Sequence, residues 1–295
     1  MNRRGAIAAM ILIAVQVLGV GAARCDTPQQ QWKSQSVRSK DGTRIVFHRE
    51  GHGTPLVIVH GGWSTSQAYK PLGELLSGNY EVILVERRNY GVSDTGPTPH
   101  SFARDGEDVQ AVIHAVGRPC YLFGHSGGAL AALYAVLESS KDVRALALYE
   151  PPLTAGGPPA ASVLKKYEGF LAAKDYQDAV LIGLTGIIGY PVDDANRRAP
   201  IYVQHLSGAL WTGAAHDVEA LSSMNTDPSQ WSGLKLPVLL MRGEKSNEHP
   251  LLDSTRALAA AIPGAQVTVL SGQEHTAAAV VPGMVANTLR GFFKP

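Results

Sequence analysis

From residue 34 onward, short apolar runs alternate with stretches in which apolar residues recur at helical spacing. Most of the runs are bounded by glycine, proline or polar residues, which is typical of strands buried in a sheet. We predict strands at residues 34–39, 44–48, 56–60, 80–85, 121–123, 143–149, 237–241 and 266–270. We predict helices at residues 67–76, 103–116, 129–137, 252–261 and 281–292. This alternation predicts an α/β fold, with a mainly parallel sheet and helices on both of its faces.

The stretch from residue 151 to residue 236 interrupts this alternation. It begins with a run rich in proline and glycine at 151–159 and continues with helical spacing and few strand-like segments. We predict that residues 34–150 and 237–295 form one α/β core, and that residues 151–236 form a helical cap inserted into it. The cap is expected over the carboxyl ends of the strands, where ligands bind in sheets of this type.

The first residues have the pattern of an export signal. Arg3 and Arg4 are followed by an apolar run at 6–20 and by small residues at 21–23. A basic start, a short apolar run and a small-residue exit are typical of a signal peptide. An uncleaved membrane anchor is the less favoured alternative, because a bilayer span needs about 20 apolar residues. We therefore predict a signal peptide at 1–23, a polar leader at 24–33 and an exported protein, periplasmic or secreted, without stable membrane insertion after cleavage.

Composition and charge narrow the class of protein. Hydrophobic residues make up 45% of the chain and charged residues 17%, which is typical of a globular protein. The formal net charge is +1, which provides no electrostatic reason to expect a nucleic acid as partner. The sequence shows neither metal-ligand spacing nor a dinucleotide-binding fingerprint. We expect a small-molecule substrate, no metal and no cofactor, while the oligomeric state stays open.

Residues 124–128 are the clearest candidate for chemistry. They read Gly-His-Ser-Gly-Gly and match the pattern Gly-x-Ser-x-Gly between a predicted strand and a predicted helix. On such a sharp turn the glycines are needed where a side chain would collide, and the serine hydroxyl stands exposed at a helix amino terminus. We therefore predict that Ser126 is a nucleophile. The alternative is a glycine-rich turn with an incidental serine.

Residues 60–63, which read His-Gly-Gly-Trp, directly follow another predicted buried strand. A glycine turn at this place can aim a backbone N–H at the same point as the N–H of Gly127. Two such donors stabilise the oxyanion of an acyl-transfer intermediate. We assign the two donors to Gly62 and Gly127, with Trp63 as the alternative to Gly62.

A serine nucleophile needs a base, and the chain has ten histidines. His275 is the best candidate, because it lies in a loop after the last predicted strand, at the edge of the sheet where Ser126 is expected. His125 is adjacent to Ser126, but neighbouring residues on a tight turn point apart. We therefore predict His275 as the base and expect His125 to pack beneath the turn.

Taken together, these features resemble the α/β-hydrolase superfamily over residues 35 to 293. The Gly-x-Ser-x-Gly turn, the His-Gly turn and the Gly-x-x-His at 272–275 carry the resemblance. Residues 85–93 are similar to the loop that contains Asp-x-Arg-Gly-x-Gly-x-Ser in the superfamily, although Glu86 and Asn89 depart from it.

The sequence also departs from the superfamily at the acid of the catalytic triad. That acid usually follows the penultimate strand in a Gly-x-x-Asp pattern, and Ser246 occupies the position here. A serine cannot stabilise an imidazolium as a carboxylate does. Glu150 is the favoured substitute, because it ends the strand after the nucleophile's helix, where some members of the superfamily, including a group of haloalkane dehalogenases, carry their acid. Glu248 and Glu244 are the alternatives, and a site without an acid stays open.

The resemblance implies a cofactor-free serine hydrolase that cleaves a small or medium ester, amide or lactone through an acyl-enzyme. Dehalogenation is disfavoured, because an alkyl ether formed on serine could not be hydrolysed as an ester is. A C–C hydrolase, a lyase or a perhydrolase on the same fold is an alternative, and so is a non-catalytic ligand-binding protein.

Overall fold

The computed structural model describes residues 32–154, 157–248 and 250–294, with the side chains of 247–252 excepted. The predicted signal peptide at 1–23 and the predicted leader as far as residue 31 lie outside these residues. Within the described ranges, no helix has the length and apolar character needed to cross a membrane.

The described residues contain one sheet of eight strands. In chain order the strands are β1 (Lys33–Arg38), β2 (Arg44–Gly51), β3 (Thr54–Val59), β4 (Tyr80–Val85), β5 (Cys120–His125), β6 (Val143–Tyr149), β7 (Val238–Gly243) and β8 (Gln266–Leu270). Their order in space is β1-β2-β4-β3-β5-β6-β7-β8. β2 is antiparallel to both of its neighbours, and every other adjacent pair is parallel. The predicted mainly parallel sheet is therefore confirmed.

Helices cover both faces of the sheet. The α-helices of the described residues are α1 (Lys70–Leu76), α2 (Phe102–Val116), α3 (Gly127–Glu138), α4 (Leu164–Ala172), α5 (Tyr176–Gly183), α6 (Val192–His205), α7 (Ala209–Ser223), α8 (Pro250–Ala261), α9 (Ala277–Val280) and α10 (Pro282–Phe292). On one face, α2, α3 and α8 contribute Val109, Ala132 and Leu258 to a buried apolar cluster. On the other face, α1 and α10 contribute Leu72 and Leu289 to a second cluster. The predicted layering of helix, sheet and helix is confirmed.

The middle of the sheet is its most buried part. All six residues of β5 are buried, and so are residues 55–59 of β3. Apolar side chains at these positions each stabilise the fold by roughly 1.5–3 kcal/mol relative to exposure. Because parallel strands end at one edge, the loops after β3, β5, β6, β7 and β8 lie at the same edge of the sheet.

Several elements begin or end at other residues than predicted, and two of them adjoin the loops at the edge of the sheet. The helix predicted at 67–76 is a 3₁₀ turn at Ser66–Tyr69 followed by α1, which has Pro71 at its amino-terminal end. Proline favours the first positions of a helix, because it lacks the N–H that would be unpaired there. The strand predicted at 121–123 extends over Cys120–His125, so it ends at the residue before Ser126.

Between β6 and β7 the described chain forms α4 to α7 and no strand, and we call these four the cap helices. A π-helix at Leu184–Ile188 follows α5. Gly183 precedes it and packs on the ring of Trp63, where a Cβ would lie 2.4 Å from the nearest ring atom. The cap helices therefore contact the loop after β3 directly. The division into a core and a cap with boundaries at 150 and 237 stays a prediction.

Candidate active site

Ser126 lies on a sharp turn between β5 and α3. Its backbone has a φ of 54° and a ψ of −124°, which is a strained conformation for a residue with a side chain. The N–H of Ser126 donates to the carbonyl of Tyr149 at 2.9 Å, and its carbonyl accepts the N–H of Ala129 at 2.8 Å. These bonds hold the partly exposed side chain at the edge of the sheet, next to the amino terminus of α3.

Close approaches of the backbone explain the two outer glycines of the turn. A Cβ at Gly124 would lie 2.4 Å from the carbonyl oxygen of Gly128, and a Cβ at Gly128 would lie 2.3 Å from the carbonyl oxygen of Val59. Neither distance leaves room for a side chain, and glycine alone has none. The Gly-x-Ser-x-Gly pattern therefore results from the packing of α3 against the ends of β5 and β3.

A series of hydrogen bonds joins three side chains at this turn. Oγ of Ser126 lies 2.9 Å from Nε2 of His275, and Nδ1 of His275 lies 2.7 Å from Oε2 of Glu150. His275 lies between β8 and α9, and Glu150 directly follows β6. With Nδ1 donating its proton to Glu150, Nε2 is free to accept a proton from Ser126. The structure thus brings together the three residues that the sequence analysis favoured.

Glu150 is fully buried and is held from two sides. Its Oε1 accepts the N–H of Gly243 at 2.7 Å, and its own N–H donates to the carbonyl of Met241 at 3.1 Å. Burial alone would raise the pKa of this carboxyl group. The hydrogen bond and the charge interaction with His275, together with the hydrogen bond from Gly243, outweigh burial, however, and lower the pKa of Glu150 below its ordinary value. The group is therefore a carboxylate at neutral pH, as the partner of an imidazolium must be.

The other candidate acids are placed differently. Glu244 is exposed, and its carboxylate accepts hydrogen bonds from Oγ of Ser271 at 3.0 Å and from the N–H of Gly272 at 2.7 Å. The side chain of Glu248 lies outside the described part of the chain. Ser246, at the position of the superfamily's usual acid, is fully buried near Glu150.

His125 lies beneath the turn, which is where the sequence analysis expected it. Its Nε2 lies 2.7 Å from the carbonyl oxygen of His275, and its Nδ1 accepts from the hydroxyl of Tyr69. That hydroxyl also accepts the N–H of Gly61 at 3.1 Å. Burial and the nearby His275 lower the pKa of His125 well below its ordinary value, so the ring is neutral. His125 therefore links the main chain of His275 to the loop after β3.

Two backbone N–H groups near Ser126 are free to bind a ligand. Among the described residues, neither the N–H of Gly62 nor that of Gly127 donates a hydrogen bond. The loop after β3 contacts the turn, since a Cβ at Gly61 would lie 3.1 Å from Cβ of Ser126. The alternative donor, Trp63, uses its N–H in a bond of 3.4 Å to a tyrosine hydroxyl. The geometry therefore favours Gly62 over Trp63 as a donor.

The loop after β4 accommodates its two departures from the superfamily pattern. Glu86 is buried, and its carboxylate accepts from the hydroxyl of Ser66 at 2.6 Å. Asn89 has a φ of 66°, a left-handed conformation that asparagine adopts more readily than most residues. The loop therefore keeps its turn without the usual aspartate and glycine.

A cavity of about 600 Å³ lies at Ser126 and His275. Its lining is mainly apolar and comes from the loops at the sheet edge and from the segment between β6 and β7, which contributes Ile187, Tyr202 and Leu221. Cavities of roughly 300–1,000 Å³ are typical of small-molecule sites. The site is therefore suited to a small or medium ligand with an apolar part.

Two charged side chains of the cap helices also line the cavity, and the sequence analysis missed both. Arg198 pairs with Glu274 at 2.6 Å. Asp217 pairs with Arg87 at 2.6 Å, although the two residues are 130 positions apart. A contact between such distant positions leaves no periodic signal in one sequence, so residue spacing could not reveal it.

Comparison with known proteins assigns the family. Residues 56–287 match the model of the Alpha/beta hydrolase family, and the chain belongs to that family. The superfamily and the fold class predicted from the sequence are thereby confirmed. The protein is accordingly a hydrolase of the α/β family.

Three relatives illustrate the likeness. The chain is 27% identical over 278 residues to the 2-(acetamidomethylene)succinate hydrolase of Mesorhizobium japonicum, which covers 86% of this chain and 94% of that protein. It is 26% identical over 275 residues to a non-heme chloroperoxidase of Streptomyces lividans, with 88% and 99% covered. Among solved structures, an α/β hydrolase from Sphaerobacter thermophilus matches with a TM-score of 0.74 and 31% identity, over 88% of this chain and 100% of that one.

Proposed function

We propose that this protein is a cofactor-free serine hydrolase that cleaves a small or medium ester, amide or lactone through an acyl-enzyme. The observation that carries the proposal is the hydrogen-bonded series from Ser126 through His275 to Glu150, with separations of 2.9 and 2.7 Å, beside the cavity. Membership of the Alpha/beta hydrolase family supports it. The mainly apolar lining favours an acyl group with a hydrocarbon part.

In the proposed reaction, Nε2 of His275 takes the proton of Ser126 while Oγ attacks the carbonyl carbon of the substrate. Glu150 stabilises the imidazolium and holds the ring in its tautomer. The N–H groups of Gly62 and Gly127 donate to the oxyanion, and each such donor lowers the barrier by about 3–4 kcal/mol. His275 then protonates the leaving group, and water activated by the same ring releases the acid and the free serine.

A perhydrolase is the second candidate, and the relative named non-heme chloroperoxidase is the observation that favours it. In that reaction hydrogen peroxide replaces water in the attack on the acyl-enzyme, so the acyl group leaves as a peracid and the serine is set free. The same side chains would serve both reactions, so the two candidates differ only in the preferred acceptor.

A panel of p-nitrophenyl esters with graded acyl lengths tests the proposed function. We expect saturable hydrolysis, with kcat/KM highest for short and medium acyl groups, because the cavity holds about 600 Å³. In a mixture of the same ester, hydrogen peroxide and bromide, a peracid formed by the protein would oxidise bromide. Bromination of monochlorodimedone in that mixture, faster than hydrolysis of the ester, would favour the perhydrolase. Ligand binding without turnover of any ester would contradict the proposal and indicate a non-catalytic binding protein.

We also propose that the protein is exported and that residues 1–23 are removed, on the basis of the amino-terminal pattern alone. Expression of the full chain in a bacterium should yield a mature protein outside the cytoplasm that begins near residue 24. Mass spectrometry of the amino-terminal peptide measures this. A full-length chain confined to the cytoplasm would contradict it.

A further inference from the structure

Arg87 and Asp217 form a buried ion pair between the core and the cap helices. Arg87 lies in the loop after β4, and Asp217 lies on α7. The guanidinium donates from Nη1 to Oδ2 at 2.9 Å and from Nη2 to Oδ1 at 2.6 Å. Burial alone would lower the pKa of Arg87, but the carboxylates of Asp105 and Asp217 outweigh it and raise the pKa. The guanidinium therefore stays charged inside the protein.

The same guanidinium occupies what would otherwise resemble a cation site. One ligand atom each of His100, Asp105 and Asp217 lies within 4.8 Å of the others. Nη2 of Arg87 donates to Asp105 at 2.9 Å as well as to Asp217. Because Arg87 already supplies a positive charge between the two carboxylates, the cluster is an ion-pair network rather than a metal site.

The ion pair lies close to the two proposed oxyanion donors. A Cβ at Gly62 would lie 2.7 Å from Oδ2 of Asp217, and a Cβ at Gly127 would lie 3.1 Å from Nη1 of Arg87. The absence of a side chain at both positions lets the pair approach the backbone. Asp217 of this pair therefore lines the cavity beside Gly62 and Gly127.

Tyr90 connects this pair to the loop after β3. Its hydroxyl donates to Oδ2 of Asp217 at 2.8 Å and accepts the N–H of Trp63 at 3.4 Å. Burial and the charge of Asp217 raise the pKa of Tyr90 well above its ordinary value, so the hydroxyl keeps its proton. Trp63 has a φ of 55°, which is a strained conformation that needs support from its surroundings. The peptide group after Gly62 is thus held in place through a side chain of the cap helices.

We propose that Asp217 is a positioning residue that holds the backbone donor of Gly62 in place, by contact with Gly62 and through Tyr90. This inference rests on the proposed acyl-transfer function. If Asp217 has this role, the oxyanion is stabilised only when α7 is packed in place against the core. Binding of the substrate depends on the rest of the cavity. When a substitution far from the reacting atoms displaces a catalytic group by about 1 Å, the rate can fall by about 100-fold.

The test compares kcat and KM for p-nitrophenyl acetate in the wild type, Tyr90→Phe and Asp217→Asn, with active sites titrated to completion by a fluorophosphonate. We expect each substitution to lower kcat per active site by about 10- to 100-fold. KM should change by less than about twofold, because ground-state binding is retained. Tyr90→Phe leaves the Arg87–Asp217 pair intact and so tests the connection in a folded chain.

Glu219→Gln is the matched control, because Glu219 lies on the same helix and the substitution also removes one negative charge. Oε2 of Glu219 accepts the N–H of His100 at 3.4 Å, and the amide oxygen of a glutamine can keep that bond. We expect kcat and KM of this variant to equal those of the wild type.

A second readout separates positioning from a loss of structure. A trifluoromethyl ketone forms a reversible adduct with an active-site serine, and the adduct carries an oxyanion that the carboxylic acid product lacks. We expect the affinity for the ketone to fall by the same factor as kcat/KM in both variants, and the affinity for the acid to stay unchanged. The double variant should be no slower than the slower single variant, since both substitutions break one connection.

Wild-type kcat and wild-type ketone affinity in both variants would overturn this inference and leave the proposed function standing. A loss of activity that appears only as fewer active sites titrated by the fluorophosphonate, or only as a higher KM, would also overturn this inference. That result is expected if Asp217 merely stabilises the fold. Failure of the wild type to hydrolyse any ester would overturn the proposed function and the inference together.

Discussion

Ser126→Ala should abolish turnover of an activated ester. We expect kcat to fall by about a millionfold, the loss seen when the nucleophile of a serine triad is removed. Alanine retains the backbone of the turn but has no oxygen to attack the carbonyl carbon. The fold should be unchanged, because the backbone bonds of Ser126 to Tyr149 and Ala129 do not involve the side chain. Initial rates with a p-nitrophenyl ester measure the loss.

Ser64→Ala is the matched control for this substitution. Ser64 also lines the cavity, and its hydroxyl donates only weakly, at 3.4 Å, to the carbonyl of Thr65. We expect its kcat to stay within about twofold of the wild type, as for substitutions that leave the reacting groups untouched. Substantial activity in Ser126→Ala, or a larger loss in Ser64→Ala, would mean that the nucleophile lies elsewhere.

Glu150→Gln should lower kcat by about 10,000-fold, as replacing a triad acid by its amide does. The geometry supplies the reason. An amide oxygen in place of Oε1 can still accept the N–H of Gly243, which directs the NH₂ group toward Nδ1 of His275. Nδ1 then becomes an acceptor and Nε2 carries the proton, so the ring cannot take a proton from Ser126. Steady-state kinetics of the purified wild type and variant measure this effect. Circular dichroism spectra that agree between the two proteins show that the fold is unchanged.

Glu244→Gln and Glu248→Gln are the controls for the acid. Glu244 is exposed and is bound to the loop at Ser271 and Gly272, so its loss should leave kcat within about threefold of the wild type. The same mild effect is expected at Glu248. A severe loss in either variant, together with a mild effect of Glu150→Gln, would place the acid after β7 instead of after β6.

The turn around Ser126 could be predicted from the sequence because its requirements are local. The glycines at 124 and 128 are dictated by backbone approaches within a few residues of the nucleophile or to the adjacent strand. A pattern of five residues therefore contains most of the physical constraint. The same holds for β4, β6 and β8, whose boundaries agree with the predicted ranges.

Sequence reasoning reduced the candidates for the acid of the triad to a few glutamates but did not single out one of them. Glu150 and Glu244 both follow strands that end at the same edge, and only the pairing of those strands shows which one reaches His275. In the structure Tyr149 pairs with Met241 in parallel, so Glu150 lies beside the last residues of β7 and its carboxylate accepts the N–H of Gly243. This register depends on contacts between distant segments, and residue spacing within one segment does not reveal it.

The Arg87–Asp217 pair was beyond prediction for a related reason. Arg87 occupies a variable position of the loop pattern at 85–93, and Asp217 is one of several acidic residues on helices of the cap. Nothing in their spacing indicates that they meet close to Gly62. Their contact follows from how α7 packs against the core, which is a property of the tertiary structure.

The central claim is that Ser126 forms a covalent acyl-enzyme, and mass spectrometry of the trapped intermediate tests it most directly. The protein is mixed with a slowly hydrolysed activated ester, quenched in acid, digested and analysed peptide by peptide. We predict one acyl group per chain, located on Ser126 and absent from the Ser126→Ala variant. An acyl group on another residue, or equal acylation of the wild type and the variant, would contradict the account.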